Sequence, residues 1–182
     1  PMHSSLQDLL GKHALEVAPL LLGWSFSTRV DGVRTTIRLT EVEAYLGEED
    51  PASLAFRGRR ARTAPMFEAG GVIYVYRSYG IHDCVNVVTG TEGTAGAVLL
   101  RAGIPIDGIG AMEDRRGRDT HLTDGPGKLG QALGLMTHHS GLPIDADMIR
   151  LRWGPPPDRL NATPRSGISR ATDKLWRFVA GT

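Results

Sequence analysis

An Asp-Gly pair between two strand-like runs is the feature that most constrains how this chain can fold. Asp31-Gly32 separates residues 24–30 from residues 33–45, and Asp-Gly favours the tight turn that joins antiparallel strands. The chain also holds 23 glycines among its 182 residues, well above the usual share of about 7%. These features together predict a turn-rich, antiparallel β scaffold.

Other segments place helices around that scaffold. Apolar periodicity predicts one or two short helices in residues 6–22, with a break or kink at Pro19. Residues 47–65 have no hydrophobic period, so we predict a long surface loop there. The other predicted strands are residues 72–78, 82–89 and 96–102, with weaker ones at 148–153 and 168–170. The other predicted helices are residues 107–116 and 124–136, the latter with Asp124 as its capping residue and Pro126 in its first turn. The predicted fold class is α+β, with one domain spanning residues 1–182.

The composition suits a compact domain and permits a nucleic-acid partner. At 182 residues and 41% hydrophobic, the chain is long enough to bury a core. Only Lys12, Lys128 and Lys174 are lysines, so 18 of the 21 basic residues are arginines. Arginine is well suited to bidentate phosphate contacts, although an arginine-biased genome would give the same composition. The net charge of +1 does not decide between these explanations.

Some classes of protein are disfavoured at once. A single cysteine, Cys84, excludes an internal disulfide and a multi-cysteine metal site. No stretch approaches the length and apolarity of a membrane span, and the first residues lack the pattern of a signal peptide. We therefore expect a cytosolic (cytoplasmic) protein with no metal and no other cofactor.

Carboxylates and tyrosines alternate in two short segments. Glu41, Glu43 and Tyr45 stand at every second position, and the other three tyrosines all lie in residues 74–80. Alternating residues of a strand share one face. A carboxylate among tyrosine rings suits gripping a flat aromatic group, such as a nucleobase, with acid–base chemistry beside it. The alternative is that both glutamates are solvated, and alternation alone does not choose.

The second tyrosine segment suggests different roles for its members. Tyr74 is expected to pack in the core, as strand aromatics usually do. Tyr79, beside Gly80, falls where the strand should turn, so its ring should be displayed at a tip. It is then either an interface residue or a wedge of the kind that base extraction requires. Asn86 on the next strand is either a structural buried amide or a reader of a base edge.

Residues 124–129 contain the glycine-rich start of a predicted helix and include Lys128. This segment lacks the spacer and the Ser or Thr of a nucleoside-triphosphate loop, so we exclude that ligand. Free amides and a lysine suit a single phosphate, including a DNA backbone phosphate, or the segment is simply a helix start. We predict that Lys128 contacts DNA, together with Arg57 and Arg59 of the predicted surface loop.

Five short motifs occur in order along nearly the whole chain. They are Glu43-Ala44-Tyr45-Leu46-Gly47, Tyr74-Val75-Tyr76 with Tyr79-Gly80, Cys84-Val85-Asn86-Val87-Val88, Leu99-Leu100-Arg101-Ala102 and Gly125-Pro126-Gly127-Lys128-Leu129. This order resembles the alkyladenine (3-methyladenine) DNA glycosylase family, the type without a helix-hairpin-helix. The resemblance implies a single domain around a curved, open barrel-like antiparallel sheet, similar to the formyltransferase C-terminal domain. It also implies a monomer whose partner is duplex DNA containing a damaged purine.

The resemblance assigns roles to individual residues. Glu43 would be the general base that activates water, and Arg101 would help to position that water. Tyr45 and Tyr76 would sandwich the flipped base, and Asn86 would line the floor of the pocket. The backbone amide of Ala52 would contact the base edge, and Tyr79 would intercalate into the DNA. Water would attack the sugar C1′ and the alkylated or deaminated purine would be released. An abasic site would remain in the DNA. A lyase would need an amine nucleophile, and Lys128 alone among the lysines lies in a motif.

The chain departs from the family pattern at three places. Leu54 stands where the family usually has a histidine that lines the base pocket, residues 60–67 differ in order, and Ser166 replaces an apolar residue. These departures concern the substrate range. They leave two rival hypotheses, namely a catalytically weak or inactive homologue that binds damaged or structured DNA, and a non-catalytic nucleic-acid-binding module.

Overall fold

The computed structural model describes residues 4–145 and 147–181. In this part of the chain the α-helices are α1 (Ser4–Leu10), α2 (Ala14–Leu20), α3 (Ile109–Arg116) and α4 (Pro126–Ala132). The strands are β1 (Ser25–Val30), β2 (Val33–Tyr45), β3 (Ile73–Ser78), β4 (His82–Thr89), β5 (Gly96–Asp107), β6 (Ile149–Arg152), β7 (Arg159–Thr163) and β8 (Arg177–Gly181). None of the helices in residues 4–145 and 147–181 is long and apolar enough to cross a membrane.

The long strand β2 organises the sheet. Its residues 33–38 pair with β1 and its residues 41–43 pair with β8, while β5 runs along its other side. The strand order is β3-β4-β5-β2-β1-β6, with β7 attached through β8, and each pairing is antiparallel. The sheet curls into a half-barrel with the helices around it. The predicted α+β class is confirmed, as is the hairpin at Asp31-Gly32.

The two faces of the sheet carry separate hydrophobic clusters. Consecutive strand residues point to opposite faces, so Val75 joins the larger cluster while Tyr74 joins the smaller one. The larger cluster packs the sheet against the helices through residues such as Leu10, Val17 and Leu129. The smaller cluster consists of Ala55, Met66, Phe67, Tyr74, Val88, Ala95 and Ala97. Its face of the sheet also carries the polar residues of the candidate site.

The predicted surface loop at residues 47–65 is only partly a surface loop. Arg57 and Arg59 are exposed, but Asp50, Ser53 and Ala55 are buried. The carboxylate of Asp50 accepts hydrogen bonds from two nearby backbone amides, each at 3.1 Å. Such local side-chain bonds order a segment without hydrophobic periodicity, and the prediction of a surface loop was therefore wrong at these buried positions.

Helix α4 lies very close to β4 because glycines face the strand. A Cβ atom at Gly130 would collide with the carbonyl oxygen of Asp83, and one at Gly127 would lie 2.6 Å from the side chain of His82. This close approach places the start of α4, with Pro126 in its first turn as predicted, beside the candidate site.

The cap predicted for α4 was wrong. Gly125 is the N-cap residue and provides no side-chain cap, whereas the carboxylate of Asp124 accepts a hydrogen bond from Lys128 at 3.0 Å. The ion pair with Lys128 therefore engages the carboxylate that would have bonded the helix amides. Helix α4 also ends at Ala132, four residues before the predicted end at Met136.

Several strand boundaries also differ from the prediction. Residues 168–170 form no strand, and the last two strands of the described chain lie instead at β7 and β8. Strand β5 continues to Asp107 because its second half still pairs with β2, so α3 begins two residues later than predicted. The break between the first two helices lies at residues 11–13, and Pro19 falls in the last turn of α2.

Candidate active site

A row of side chains crosses four neighbouring strands at the centre of the site. Glu43 on β2 lies opposite Leu99 on β5, which lies opposite Asn86 on β4, which in turn lies opposite Tyr74 on β3. A cavity of about 380 Å³ opens over this row. The predicted site residues that line it are Tyr45, Ala52, Leu54, Tyr76, Tyr79, Asn86 and Arg101. The sheet register thus brings together residues from motifs far apart in sequence.

The carboxylate of Glu43 lies directly behind the cavity wall. Its side chain has no exposed surface, and the residues that contact it, Tyr45, Ser166 and Arg101, line the cavity. The Tyr45 hydroxyl donates to Oε1 at 2.9 Å, and the backbone amide of Ser166 donates to Oε2 at 2.7 Å. Burial raises the pKa of the Glu43 carboxyl, although the Arg101 charge opposes this rise. Glu43 is therefore suited to accept a proton.

Glu41 lies two residues earlier in a contrasting environment. Arg101 and Arg177 each donate through Nε to its Oε2, at 2.7 and 3.0 Å. Burial alone would raise the pKa of this carboxyl, but the hydrogen bonds from Arg177 and Arg101 outweigh burial and lower it. Glu41 is thus held as a carboxylate by two guanidinium groups, which makes it a poor proton acceptor.

Arg101 lies between the two glutamates because of an irregularity in the sheet. Glu41 pairs with Ala102 and Val42 with Leu100, which leaves Arg101 as an extra residue in a β-bulge. Bulges next to active sites re-aim a side chain. Here the guanidinium bonds Glu41 and places Nη1 3.6 Å from Oε1 of Glu43.

Tyrosine rings form the walls of the cavity. The rings of Tyr74 and Tyr76 stack with their centroids 6.0 Å apart, and Tyr45 belongs to the wall that covers Glu43. Burial raises the pKa of the phenols of Tyr45 and Tyr76 well above the ordinary value, so both are neutral. Tyr74 is buried in the smaller cluster, which confirms the expected core position, and it also lines the cavity.

The remaining predicted pocket residues also surround the cavity. Asn86 is buried, and its amide donates to the carbonyl oxygen of Tyr74 at 3.3 Å. The amide of Ala52 donates to Oδ1 of Asp50 at 3.1 Å, so a base edge would have to share this donor. The side chain of Leu54 is 44% exposed and forms an apolar part of the wall.

An aromatic side chain projects from the rim. Tyr79 is 86% exposed in the turn between β3 and β4, as its sequence position predicted. It adopts a positive φ of 51° and is followed by Gly80 at 68°, a pair of left-handed residues that turns the chain tightly. Ile81, on the same turn, is 72% exposed. The turn therefore presents an apolar tip next to the cavity.

Arginines border a groove that continues from the cavity. Leu54, Arg57, Arg60 and Arg170 line this groove, which shares the wall at residues 52–54 with the cavity. Arg59 is exposed on the same loop. The amine of Lys128, in contrast, is paired with Asp124. Arg60 and Arg170 were not predicted, because the sequence does not show which arginines of a loop share a face.

The buried contacts behind Tyr45 were also not predicted from the sequence. The side chains of Asp50 and Arg165 are fully buried and form a bidentate ion pair. The guanidinium of Arg165 also lies over the rings of Tyr45 and Trp176, 4.6 and 4.8 Å from their centroids. Asp50 and Arg165 stand 115 residues apart, and no local pattern marks them as partners.

No group of three or more His, Cys, Asp or Glu side chains within residues 4–145 and 147–181 is placed to hold a metal ion. Glu43 is placed to accept a proton, and Arg101 is the cation beside it, so these two residues supply acid–base and electrostatic chemistry. Tyrosine faces provide stacking surfaces for a planar ligand. The combination suits hydrolysis at a planar aromatic leaving group.

The sequence also shows which known proteins this chain is similar to. Over residues 8–182 it matches the methylpurine-DNA glycosylase family. A protein of Rhodopseudomonas palustris strain HaA2, provisionally named a 3-methyladenine DNA glycosylase, is 50% identical over 90% of this chain and 80% of its own length. Proteins with the same provisional name are 47% identical in Chlorobaculum tepidum, over 91% of this chain and 82% of that protein, and 45% identical in Cutibacterium acnes, over 93% and 92%. The chain therefore belongs to the methylpurine-DNA glycosylase family.

Proposed function

We propose that this protein is a monofunctional DNA glycosylase that removes alkylated purines from duplex DNA. The observation that carries the proposal is the buried Glu43 carboxylate, with its raised pKa, behind a cavity walled by Tyr45 and Tyr76. Membership of the methylpurine-DNA glycosylase family supports it, as do the names of the relatives.

The damaged base would leave the duplex and enter the cavity. Tyr79 on its exposed turn would fill the space that the extracted nucleotide leaves, which offsets part of the few kcal/mol that extraction costs. The base would then stack against the rings of Tyr45 and Tyr76. Arg57, Arg60 and Arg170 along the groove would contact the phosphates on either side, because arginine forms bidentate contacts with phosphate.

In the chemical step, a water molecule attacks the sugar C1′ while Glu43 accepts its proton. The C1′–N bond breaks, its electron pair leaves with the base, and the water oxygen bonds to C1′, so the product is an abasic site. Glu43 has no exposed surface, so the water must enter beside Tyr45, Ser166 or Arg101 before it can reach the carboxylate. The amine of Lys128 pairs with Asp124 and does not line the cavity, which supports hydrolysis rather than lyase chemistry.

The walls favour cationic over neutral purines. A purine methylated at N3 or N7 carries positive charge, which stacks favourably on tyrosine faces and makes the base a good leaving group. A neutral deaminated purine leaves less readily and depends more on hydrogen bonds from the pocket. Leu54 offers none, so we propose deaminated purines as the poorer substrates.

A weak or inactive homologue that binds damaged DNA is the second candidate. The complete burial of Glu43 favours it, since a carboxylate without access to water cannot act as a base. The same residues that line the cavity and groove would bind DNA in either case.

Matched substitutions of the two glutamates test the proposal. Glu43→Gln keeps the shape of the side chain but removes its basicity, so single-turnover excision of a methylpurine should fall about 10²–10⁴-fold. Affinity for lesion-containing duplex should stay near the wild-type value. Glu41→Gln should lower excision far less, because the Glu41 carboxylate is held in ion pairs with Arg101 and Arg177 and is a poor proton acceptor. Equal losses for the two variants would remove the assignment of Glu43, and absence of excision by the wild type would leave the second candidate.

A further inference from the structure

A buried ion pair joins segments of the site that are far apart in sequence. Nη1 and Nη2 of Arg165 donate to the two carboxylate oxygens of Asp50 at 2.6 and 2.9 Å, and both side chains are fully buried. Nη1 also donates to the carbonyl oxygen of Ala44 at 2.9 Å. Ala44 stands between Glu43 and Tyr45, so the pair is fixed to the backbone that carries both residues.

The arginine side of the pair reaches two functional groups. Its guanidinium lies over the rings of Tyr45 and Trp176, so it helps to fix the position of the Tyr45 ring in the cavity wall. The next residue, Ser166, donates its amide to Oε2 of Glu43 at 2.7 Å. A displacement of Arg165 would therefore move a donor of the Glu43 carboxylate together with the ring that covers it.

Asp50 orders another part of the cavity wall. One carboxylate oxygen accepts from the amide of Leu46, where β2 has ended, and the other accepts from the amide of Ala52. Ala52 and Leu54 line the cavity. Asp50 thus connects the end of β2 with the loop that closes the cavity.

We propose that the Asp50–Arg165 pair is the positioning element of this active site, holding Tyr45, the Glu43 carboxylate and the loop of Leu54 in one fixed arrangement. The inference rests on the proposed role of Glu43 as general base. Arg165 acts through Ser166 and Tyr45, so it is a positioning residue. A buried ion pair usually contributes little more stability than apolar residues of the same volume, and geometry is therefore what this pair supplies.

The charge of Arg165 also acts on Glu43. The charged and titratable groups that face Glu43 are Tyr45 on the same strand, Arg101 on β5, Tyr76 on β3, Arg177 on β8 and Arg165. Burial raises the pKa of Glu43, and the positive charges of Arg101 and Arg165 oppose this rise. Loss of Arg165 should raise the pKa further. Because the base must be deprotonated, the acidic limb of the pH–rate profile should then move to higher pH.

The first test compares three single variants of the full chain. Arg165→Met should slow single-turnover methylpurine excision by about 10²-fold, the usual effect of misplacing a catalytic group by 1 Å, and move the acidic limb to higher pH. Arg165→Lys keeps the positive charge, so the acidic limb of its pH–rate profile should stay in place, while its excision rate should still be reduced. The control Arg115→Met removes a different arginine, which is half-buried and donates to the carbonyl oxygens of Ala132 and Val30. It should lower the melting temperature without moving the limb.

A double variant separates positioning from stability. Asp50→Asn with Arg165→Met leaves no unpaired buried charge and should melt near the wild-type temperature, yet its excision should stay slow. Wild-type excision by this double variant, or an unmoved acidic limb in Arg165→Met, would overturn the inference.

A direct titration of Glu43 distinguishes failure of the inference from failure of the proposed function. The ¹³C signal of the Glu43 carboxyl should titrate at higher pH in Arg165→Met than in the wild type. If that titration moves while Glu43→Gln remains fully active, the base role fails and the positioning of Glu43 stands. If the titration does not move, the positioning inference fails whatever the activity of Glu43→Gln.

Discussion

Glu41 and Glu43 stand two positions apart on one strand, yet their carboxyls experience opposite environments. Burial raises the pKa of Glu43, whereas hydrogen bonds from Arg177 and Arg101 overcome burial and lower that of Glu41. The partners that decide this are distant in sequence, because Arg177 is 136 residues from Glu41 and Ser166 is 123 from Glu43. The alternating pattern could therefore predict the shared face but not which glutamate is buried.

The opposite shifts predict opposite effects on stability. A raised pKa means that the neutral form of Glu43 is favoured on folding, so its stabilisation is full below the ordinary pKa of 4.5 and is lost as pH rises through the higher folded value. Glu43→Gln resembles the neutral acid and should melt at a higher temperature than the wild type near pH 7. The difference should vanish below about pH 4.5.

Glu41 provides the control for this experiment. The lowered pKa of its carboxyl contributes stability that is present above pH 4.5 and is lost as pH falls through the folded value. Glu41→Gln should therefore melt at a lower temperature than the wild type near pH 7. Melting curves between about pH 4 and pH 8 decide the matter, and shifts of the same sign in both variants would contradict it.

The leucine at position 54 leads us to expect that the protein excises some purine lesions faster than others. A histidine at this position can donate or accept a hydrogen bond, whereas leucine only fills space. One net hydrogen bond is worth about 0.5–1.5 kcal/mol, so Leu54→His should raise hypoxanthine excision roughly three- to tenfold and change methylpurine excision little. The matched control Leu54→Met keeps the wall apolar and should change neither rate. Single-turnover rates on both lesions test this, and a wild type that already prefers hypoxanthine would contradict it.

At the scale of secondary-structure elements, the sequence predicted those turns, strands and helix starts that depend on neighbouring residues alone. The Asp31-Gly32 turn, the strands at Ile73–Ser78 and His82–Thr89 and the proline at the start of α4 were predicted in place. Strands β7 and β8 were missed because they owe their pairing to β2 and to each other. The outer strand β7 is almost wholly exposed, so it shows no alternation of buried and exposed residues.

The same limit applies to the candidate site. Residues on the predicted strands, such as Tyr45, Tyr76 and Asn86, line the cavity, because strand alternation and the order of motifs reflect the register of the sheet. Asp50 and Arg165 lie in irregular segments and are joined only by the tertiary fold. No period or spacing marks such a pair, and a charged residue in a loop is normally read as exposed.

The turn between β3 and β4 allows a test of base extraction. Tyr79 is 86% exposed, so Tyr79→Ala should leave the melting temperature nearly unchanged while slowing excision from paired DNA. A lesion in a mismatch or a bulge is easier to extract, so the defect should shrink on such a substrate. Ile81→Ala on the same turn measures whether the tip as a whole contributes. A large fall in the melting temperature of Tyr79→Ala would instead identify a structural role.

At the scale of the whole molecule, net charge and local charge have different meanings. A formal charge of +1 gives no general attraction to DNA, yet Arg57, Arg60 and Arg170 border one groove beside the cavity. Strand β6, at the opposite end of the strand order from β3, carries other arginines, of which Arg150 pairs with Asp147. Affinity for DNA should therefore come from one face of the molecule.

Salt dependence of binding tests which face contacts DNA. Each phosphate contact that is lost should reduce the slope of log K against log salt by about 0.9, so Arg57→Ala with Arg60→Ala should reduce it by nearly two. Preference for damaged over undamaged duplex should change little, because phosphate contacts carry no sequence information. The control Arg152→Ala, at the exposed residue of strand β6, should leave the slope unchanged. A slope that falls equally in the control, or stays constant in the double variant, would place the DNA on another surface.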